Sequence, residues 1–192
     1  MKPTKKTAKG ERKAEALILI DVINDFDFPR AKALLRRALP AAQRIAALKK
    51  RAKRGGIPVI YANDNFGRWR SDFRQQIEHC LAEGRQGRKI VELLKPEHDD
   101  YFVLKPMHSA FFSTTLEVLL ERLHVHRVIL TGFAADICVL YTANDAYMRD
   151  LEVSVPSDCV ASETIRQYRF ALDHMAQRLR ADTRTSDRVR FH

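Results

Sequence analysis

Three side chains with different chemistry stand where short apolar runs of the sequence end. Asp21 and Lys105 each follow such a run directly, and Cys138 comes shortly after another. If the runs are parallel strands, their carboxyl ends share one edge of the sheet, where open α/β folds bind ligands. The three residues would there supply a base, a cation and a nucleophile. Taken singly, each has an ordinary alternative: Asp21 as a cap, Lys105 as surface charge, and Cys138 as a small apolar residue packing a helix start.

The surroundings of Cys138 carry a specific prediction. A glycine turn at Gly132 leads to Asp136, which is suited to cap a helix, and the helical pattern then begins with Cys138 in its first turn. A first helical turn has unpaired N–H groups and the positive end of the helix dipole, both of which stabilise a thiolate. This placement predicts a lowered pKa and a nucleophilic thiol for Cys138.

The other cysteines lack such a setting. Cys80 lies in a helical pattern and Cys159 in a buried-looking turn, and with Cys138 they form no CxxC pair and no metal-binding spacing. Three cysteines, an odd number, argue against a disulfide framework. Both are interpreted as structural.

The size and charge of the chain suit one domain with a charged tail. Its 192 residues are 45% hydrophobic, and the formal net charge is +10. Residues 1–15 hold six Lys or Arg and two Glu, a balance of +4. We expect residues 1–15 to form a disordered basic tail and residues 16–192 to form the domain.

Composition also limits partners and location. No recognition helix, zinc spacing or aromatic RNP strand accompanies the basic residues, so nucleic acid is not an expected partner. Binding through the basic tail, with strong salt dependence, is the alternative. No apolar run is long enough to span a membrane, and residues 1–15 lack the apolar core of a secretory signal. A cytoplasmic protein is expected.

Strand and helix patterns alternate along the chain, which predicts an α/β fold with a parallel sheet and helices on both faces. The predicted strands are Ala16–Ile20, Ile57–Ala62, Tyr101–Leu104, Arg127–Thr131 and Leu151–Val155, with an edge strand at Thr183–Thr185. The predicted helices are Ala31–Arg54 (with Pro40 as a candidate interruption), Ser71–Ala82, Ile90–Leu94, Thr115–Leu123, Asp136–Asp150 and Glu163–Arg180. In the strand order 3-2-1-4-5, strands one and four are neighbours, which brings Asp21 close to Cys138.

Three blocks of the sequence resemble a known family. LILIDVINDF around Asp21, VLKPMHSAF around Lys105 and TGFAADICVLYTANDA around Cys138 are similar to the signature blocks of the isochorismatase-like cysteine hydrolases, relatives of nicotinamidase and N-carbamoylsarcosine amidase. The resemblance covers about Ala16 to Ser162. It implies a Rossmann-like three-layer α/β/α sandwich with a central parallel sheet of about six strands, and a homo-oligomer, dimer or tetramer.

The resemblance also implies a triad and a mechanism. Asp21 would take the proton of the Cys138 thiol beside the Lys105 cation, and the thiolate would attack a carbonyl carbon. The oxyanion would meet the backbone amides of Ala134 and Cys138, with a cis peptide between Phe133 and Ala134. A thioester would form and water would release it. The reaction implied is hydrolysis of an amide or carbamoyl-type C–N bond in a small molecule, and the alternative is a catalytically silent binding or interaction scaffold.

One departure from the family bears on metals. Nicotinamidases of this family carry an Asp-x-His metal motif after strand two, where this chain has Asp64 followed by Asn65 and Phe66. A carboxylate without its imidazole partner is a poor site for a divalent metal. We therefore expect no metal and no cofactor, and doubt nicotinamidase activity. True isochorismate hydrolysis acts on a vinyl ether without needing the cysteine, so retention of Cys138 favours C–N hydrolysis.

Several loop residues are candidates for the wall of the substrate pocket. They are Phe26, Asn65, Trp69 and Phe111. An aromatic wall suits a flat or apolar acyl group, although Phe26 and Phe111 are equally interpretable as core. Arg68 and Arg70 either hold a substrate carboxylate or are solvated. His108 is interpreted as a hydrogen-bonding loop residue.

Overall fold

A central parallel sheet organises the chain in a computed structural model, which describes residues 14–65 and 72–192. Within those residues the sheet has six strands: β1 Ala14–Ile20, β2 Val59–Asp64, β3 Tyr101–Lys105, β4 Val125–Phe133, β5 Glu152–Ser154 and β6 Val160–Ala161. The order is β3-β2-β1-β4-β5, with β6 paired to the end of β4, and all pairs are parallel. The expected strand order is confirmed.

Helices cover both faces of this sheet. They are α1 Ala31–Arg54, α2 Phe73–Leu81, α3 Arg88–Leu93, α4 Leu116–Arg122, α5 Leu140–Met148 and α6 Ile165–Arg178. Buried residues of α1, α2 and α3 pack against one face, and those of α4, α5 and α6 against the other. The described helices include none that is long and apolar enough to cross a membrane.

The central strand β1 shows why the sequence folds into three layers. Leu17 and Leu19 belong to one core cluster, whereas Ile18 and Ile20 belong to the other. Because successive strand side chains point to opposite faces, a strand covered on both sides needs an unbroken apolar run. The three-layer α/β/α architecture expected from the sequence is confirmed.

Two details of the predicted elements were wrong. β1 begins at Ala14, so Ala14 and Glu15 belong to the sheet and not to the predicted tail; the rest of that tail lies outside the described residues. No strand forms at Thr183–Thr185, a described segment, and the chain instead makes one bridge there, between Ser154 and Asp182. The sixth strand is β6, whose two residues are too few to show a periodic pattern.

Helix α1 runs unbroken through Pro40. Proline inside a helix removes one N–H donor and leaves the carbonyl four residues earlier without its partner. Both Pro40 and Arg36, which carries that carbonyl, are exposed, so water can satisfy the freed group.

Candidate active site

The structure brings Asp21, Lys105 and Cys138 together at the carboxyl edge of the sheet. The Nζ atom of Lys105 lies 2.8 Å from Oδ2 of Asp21 and 3.6 Å from Sγ of Cys138. The carboxylate of Asp21 also lies close enough to the thiol of Cys138 for each group to shift the pKa of the other. Lys105 is fully buried and Asp21 nearly so, whereas Cys138 is partly open to solvent.

Neighbouring strands fix the carboxylate of Asp21. The backbone N–H of Asp64, at the end of β2, donates to Oδ1 of Asp21 across 2.7 Å. Asp21 itself has a positive φ of 53°, just where the chain leaves β1. With Oδ1 held by the amide and Oδ2 by Lys105, the carboxylate has a defined orientation towards the thiol.

Lys105 is held in its turn by the loop that follows β3. Its ammonium donates to the backbone carbonyl of Met107 over 3.2 Å, in addition to Asp21. Burial alone would lower the pKa of Lys105, but the nearby Asp21 carboxylate reverses that effect and raises it. The side chain therefore supplies a fixed positive charge.

Cys138 lies in a π-type turn, Ala135–Val139, between β4 and α5. The expected capping role of Asp136 was wrong: the N-cap position is Ala134, and Asp136 lies within the first turn with no capping bond. The carbonyl of Ala134 instead accepts 3.2 Å hydrogen bonds from the amides of Ile137 and Val139. Turns of this type occur frequently at functional sites.

The backbone before this turn has two special features. The peptide bond between Phe133 and Ala134 is cis. Gly132 has a φ of 117°, and a Cβ added there would lie 2.0 Å from the carbonyl oxygen of Ile20. Only glycine lets β4 approach β1 so closely beside Asp21.

The pKa of Cys138 contradicts the prediction from its helix position. Burial raises the pKa of the thiol, and the negative charge of Asp21 raises it further, whereas Lys105 lowers it less. Burial also raises the pKa of Asp21 itself and outweighs Lys105 and the hydrogen bonds. The thiol of Cys138 therefore holds its proton more tightly than an ordinary cysteine, and Asp21 is a stronger base than an ordinary aspartate.

Sequence reasoning missed the contacts that tie the loop after β3 to α5. Thr142 accepts from the backbone N–H of Ala110 at 3.0 Å and donates to the carbonyl of Cys138 at 2.7 Å. Ser109 donates a short hydrogen bond to Asp145. The available signal was the polar side chains of Thr142 and Asp145 on the helical stretch that follows Cys138.

His108 lies closer to Cys138 than the sequence indicated. Its Nδ1 atom is 3.9 Å from Sγ of Cys138, and its ring is 5.6 Å from that of Tyr141. His108 is exposed to solvent, whereas Lys105, the other nitrogen neighbour of the thiol, is fully buried.

The candidate pocket residues fall into three groups. Phe26 and Phe111 are buried in the two core clusters, 1% and 5% exposed, which favours their interpretation as core. Asn65 lies at the carboxyl edge, where its N–H donates to the carbonyl of Lys105 at 3.2 Å. Trp69, like Arg68 and Arg70, lies outside the described residues.

Asp64 stands at the position of the acid in the family's metal motif. Its backbone supports Asp21, and its carbonyl accepts from Gln76 at 3.1 Å. Over 14–65 and 72–192, no three His, Cys, Asp or Glu side chains are grouped to hold a metal ion. Phe66, at the position of the motif's histidine, is outside that part of the chain.

Known proteins resemble this chain over most of its length. The model of the Isochorismatase domain matches residues 15–187. YaaI of Bacillus subtilis (strain 168), an uncharacterised isochorismatase family protein, is 38% identical over 175 residues, covering 91% of this chain and 96% of that protein.

Two solved structures share the fold. N-carbamoylsarcosine amidase from Thermoplasma acidophilum has a TM-score of 0.72 and 27% identity, with 92% of this chain and 98% of that chain covered. The pyrazinamidase/nicotinamidase from Streptococcus mutans UA159 has a TM-score of 0.69 and 28% identity, with 88% and 99% covered.

Proposed function

We propose that this chain, which belongs to the isochorismatase family and is a hydrolase acting on C–N bonds, uses Cys138 as its nucleophile. Its substrate would be an amide or carbamoyl compound of low molecular mass, cleaved through a thioester. The family was already indicated by the three sequence blocks, and that identification is confirmed.

The contact among Asp21, Lys105 and Cys138 carries this proposal. A thiol, a carboxylate and an ammonium meet at the carboxyl edge of a parallel sheet, with the thiol as the member that solvent reaches. This arrangement has a nucleophile beside a carboxylate that can act as its base, and that carboxylate is oriented by a third group. The similarity to an amidase and a nicotinamidase supports C–N bonds as the target.

The first half of the reaction follows from the resting protonation state. Because the thiol keeps its proton, Asp21 must remove it as Sγ attacks the carbonyl carbon. The raised pKa of Asp21 suits it to that task. The same carboxyl group then returns the proton to the nitrogen as the C–N bond breaks, which leaves the acyl group on Sγ as a thioester.

The second half releases the acyl group and restores the site. Asp21, again a carboxylate, takes a proton from water while the water oxygen attacks the thioester carbon. The C–S bond breaks, and the thiolate recovers its proton from Asp21. Lys105 stays protonated throughout and offsets the negative charge that moves between the other two groups.

Backbone amides are the proposed donors to the oxyanion. In a π-type turn each N–H bonds to the carbonyl five residues before it, so the leading amides have no partner inside the turn. Ala134 directly precedes the turn and Cys138 is its fourth residue, and their amides are the proposed pair. One such donor typically contributes about 2.7–4 kcal/mol to the transition state.

The residues around the exposed side of Cys138 favour a substrate with a flat or apolar acyl group. His108 and Tyr141 form a ring pair beside the thiol, and Tyr141 is 54% exposed. Ile137, next to Cys138 in the chain, is also exposed. These surfaces offer stacking and apolar contact to a substrate bound at Sγ.

A substrate screen with two matched variants tests the proposal. Wild type, Cys138→Ala and Cys159→Ala would be assayed for ammonia or amine release from a panel of small amides and carbamoyl compounds. Wild type and Cys159→Ala should turn over a shared substrate, and Cys138→Ala should lose at least ~10³-fold in kcat/KM. Trapping the acyl group on Cys138 would show the thioester by mass spectrometry.

Two outcomes would reject the proposal. Activity that survives in Cys138→Ala would exclude the thioester route. Substrate binding without turnover in wild type would support the alternative of a catalytically silent scaffold.

A further inference from the structure

A second concave region lies at the opposite edge of the sheet. It is a cleft of about 760 Å³ beside the amino ends of β1, β4 and β5, where Glu15, Arg127 and Glu152 lie. Glu15 and Asp21 are six residues apart along or just after β1, which is roughly 20 Å at ~3.3 Å per residue. The cleft is therefore separate from the candidate active site.

Arginines from three segments converge on this cleft. They come from β4, from the end of α6 and from the last stretch of the chain: Arg127, Arg180, Arg184, Arg188 and Arg190. Three carboxylates share the cleft, those of Glu15, Glu152 and Asp182. Five positive and three negative side chains leave an excess of two positive charges.

Two of the arginines are neutralised by carboxylates within the cleft. Arg127 pairs with Glu15 at 3.0 Å. Arg184 makes two hydrogen bonds to Asp182, of 2.9 and 2.7 Å, which satisfy both carboxylate oxygens. Arg188 pairs at 3.5 Å with Asp187, which does not line the cleft. These pairs build the wall of the cleft and leave its excess charge to Arg180 and Arg190.

Arg180 and Arg190 supply the uncompensated charge. Arg190 donates to the backbone carbonyl of Asp187 at 2.8 Å, and it shares the nearby Asp187 carboxylate with Arg188, which makes the closer ion pair to it. Arg180 is exposed, and in the described part of the chain its side chain makes no ion pair within 4.0 Å. A concave surface with excess charge of one sign concentrates its potential and attracts counter-ions.

We propose that this cleft binds a small multivalent anion with two or more phosphate or carboxylate groups. Guanidinium groups match such oxygens with paired N–H bonds, and the cleft volume is in the range of small-molecule sites. This inference does not depend on the chemistry proposed for Cys138.

Calorimetric titration of the full chain with inorganic triphosphate, and separately with citrate, tests the site. Wild type should bind with one-to-one stoichiometry at constant ionic strength. The double variant Arg180→Gln/Arg190→Gln should weaken binding by roughly tenfold or more. Tighter binding of triphosphate or of citrate identifies phosphate or carboxylate as the preferred group.

A variant with the same charge change elsewhere is the control. Arg36 and Arg169 are exposed on α1 and α6, away from the cleft, so Arg36→Gln/Arg169→Gln should bind like wild type. Equal loss in both double variants, or no saturable binding of either anion, would overturn the proposal. The proposal would also be overturned if the protein bound nucleic acid but neither triphosphate nor citrate. Arg180→Lys/Arg190→Lys, which keeps the charge, should bind more tightly than the glutamine variant.

Discussion

Two regions of this molecule pair a cysteine with an aspartate. At one, Cys138 lies beside Asp21; at the other, Cys159 lies beside Asp158. Burial raises the pKa of both thiols, and the neighbouring carboxylate raises each further. By thiol and carboxylate alone, the two pairs are alike.

They differ in what else binds the carboxylate. Asp158 receives the backbone N–H of Ser186 at 2.7 Å and its hydroxyl at 2.8 Å, both neutral donors. Asp21 receives one neutral amide and the buried ammonium of Lys105. The positive charge that lowers the pKa of Cys159 is that of Arg44, which is exposed and therefore screened by solvent.

They also differ in access. Cys159 is fully buried, whereas Cys138 reaches solvent beside His108. A cysteine with a base at hand is a candidate nucleophile only when a substrate can reach it and a fixed cation offsets the charge that develops. That conclusion depends on the carboxylate's role, which substitution can test.

Replacing each aspartate by asparagine gives the largest expected contrast. Asp21→Asn should slow hydrolysis by roughly 10²–10⁴-fold because it removes the proposed base. It should also accelerate alkylation of Cys138 at about pH 8, because the lost negative charge lowers the thiol pKa. Iodoacetamide labelling and kcat/KM measured on the same preparations check both effects.

Asp158→Asn is the matched control for this experiment. Cys159 should stay unlabelled, since its thiol remains buried, and hydrolysis should change little. If Asp21→Asn slowed both hydrolysis and alkylation, Asp21 would act by holding the shape of the site and not as a base.

Removing the cation near each cysteine should give the second-largest contrast between the two regions. Lys105→Ala leaves the buried Asp21 without its partner and should lower the free energy of unfolding by about 3–5 kcal/mol. Arg44→Ala, at the exposed cation near Cys159, should change it by no more than about 0.5 kcal/mol. Urea denaturation of both variants measures the difference.

The same lysine variant sharpens the comparison through pH. Lys105 lowers the thiol pKa in wild type, so its loss should move the alkylation profile of Cys138 to higher pH. Lys105→Arg, which retains the charge, should keep the alkylation profile close to that of wild type. A profile that moves to lower pH would show that Lys105 does not stabilise the thiolate.

Alkylation of the native protein should separate the cysteines by access. Cys138 should react at least roughly tenfold faster than Cys80 and Cys159, which need local opening before any reagent reaches them. Its rate should still rise above about pH 8.5, because the thiol pKa is raised and the thiolate fraction keeps growing. For comparison, burial raises the pKa of Cys80 to about 12.

Mass spectrometry of labelled peptides at several pH values gives the three rates. Equal rates for all three cysteines in folded protein would remove access as the distinguishing feature. If the alkylation rate of Cys138 instead reached a plateau below about pH 8.5, its thiol would already be ionised there, as its helix position alone predicted.

The sequence predicted which residues meet but not how they are held. Apolar runs located the strands because a sheet covered on both faces needs continuous apolar side chains, and the strand-end rule then placed Asp21, Lys105 and Cys138 on one edge. The amide of Asp64 escaped prediction because every residue has a backbone N–H, and only the fold decides where it points. The π-type turn escaped for the same reason, since no side chain distinguishes it from an α-helical start.

The pKa of Cys138 was the prediction that failed on physics. The helix-start argument counted the dipole and the lysine, which favour the thiolate, but not burial and the charge of Asp21, which oppose it. Burial of one side chain depends on segments far apart in the sequence. A local pattern therefore gives the direction in which the helix dipole shifts the thiol pKa, but not the direction of the net shift.

The smallest expected effect concerns the hydroxyl beside Asp158. Ser186→Ala removes the 2.8 Å hydrogen bond to Oδ2 of Asp158 but keeps the backbone bond to Oδ1, so the free energy of unfolding should fall by about 1–2 kcal/mol. Alkylation of Cys138 and kcat/KM should stay as in wild type, because no contact of this hydroxyl reaches the other aspartate. A change in either would mean that the two cysteine regions are energetically coupled through the core, and that Cys159 has more than a structural role.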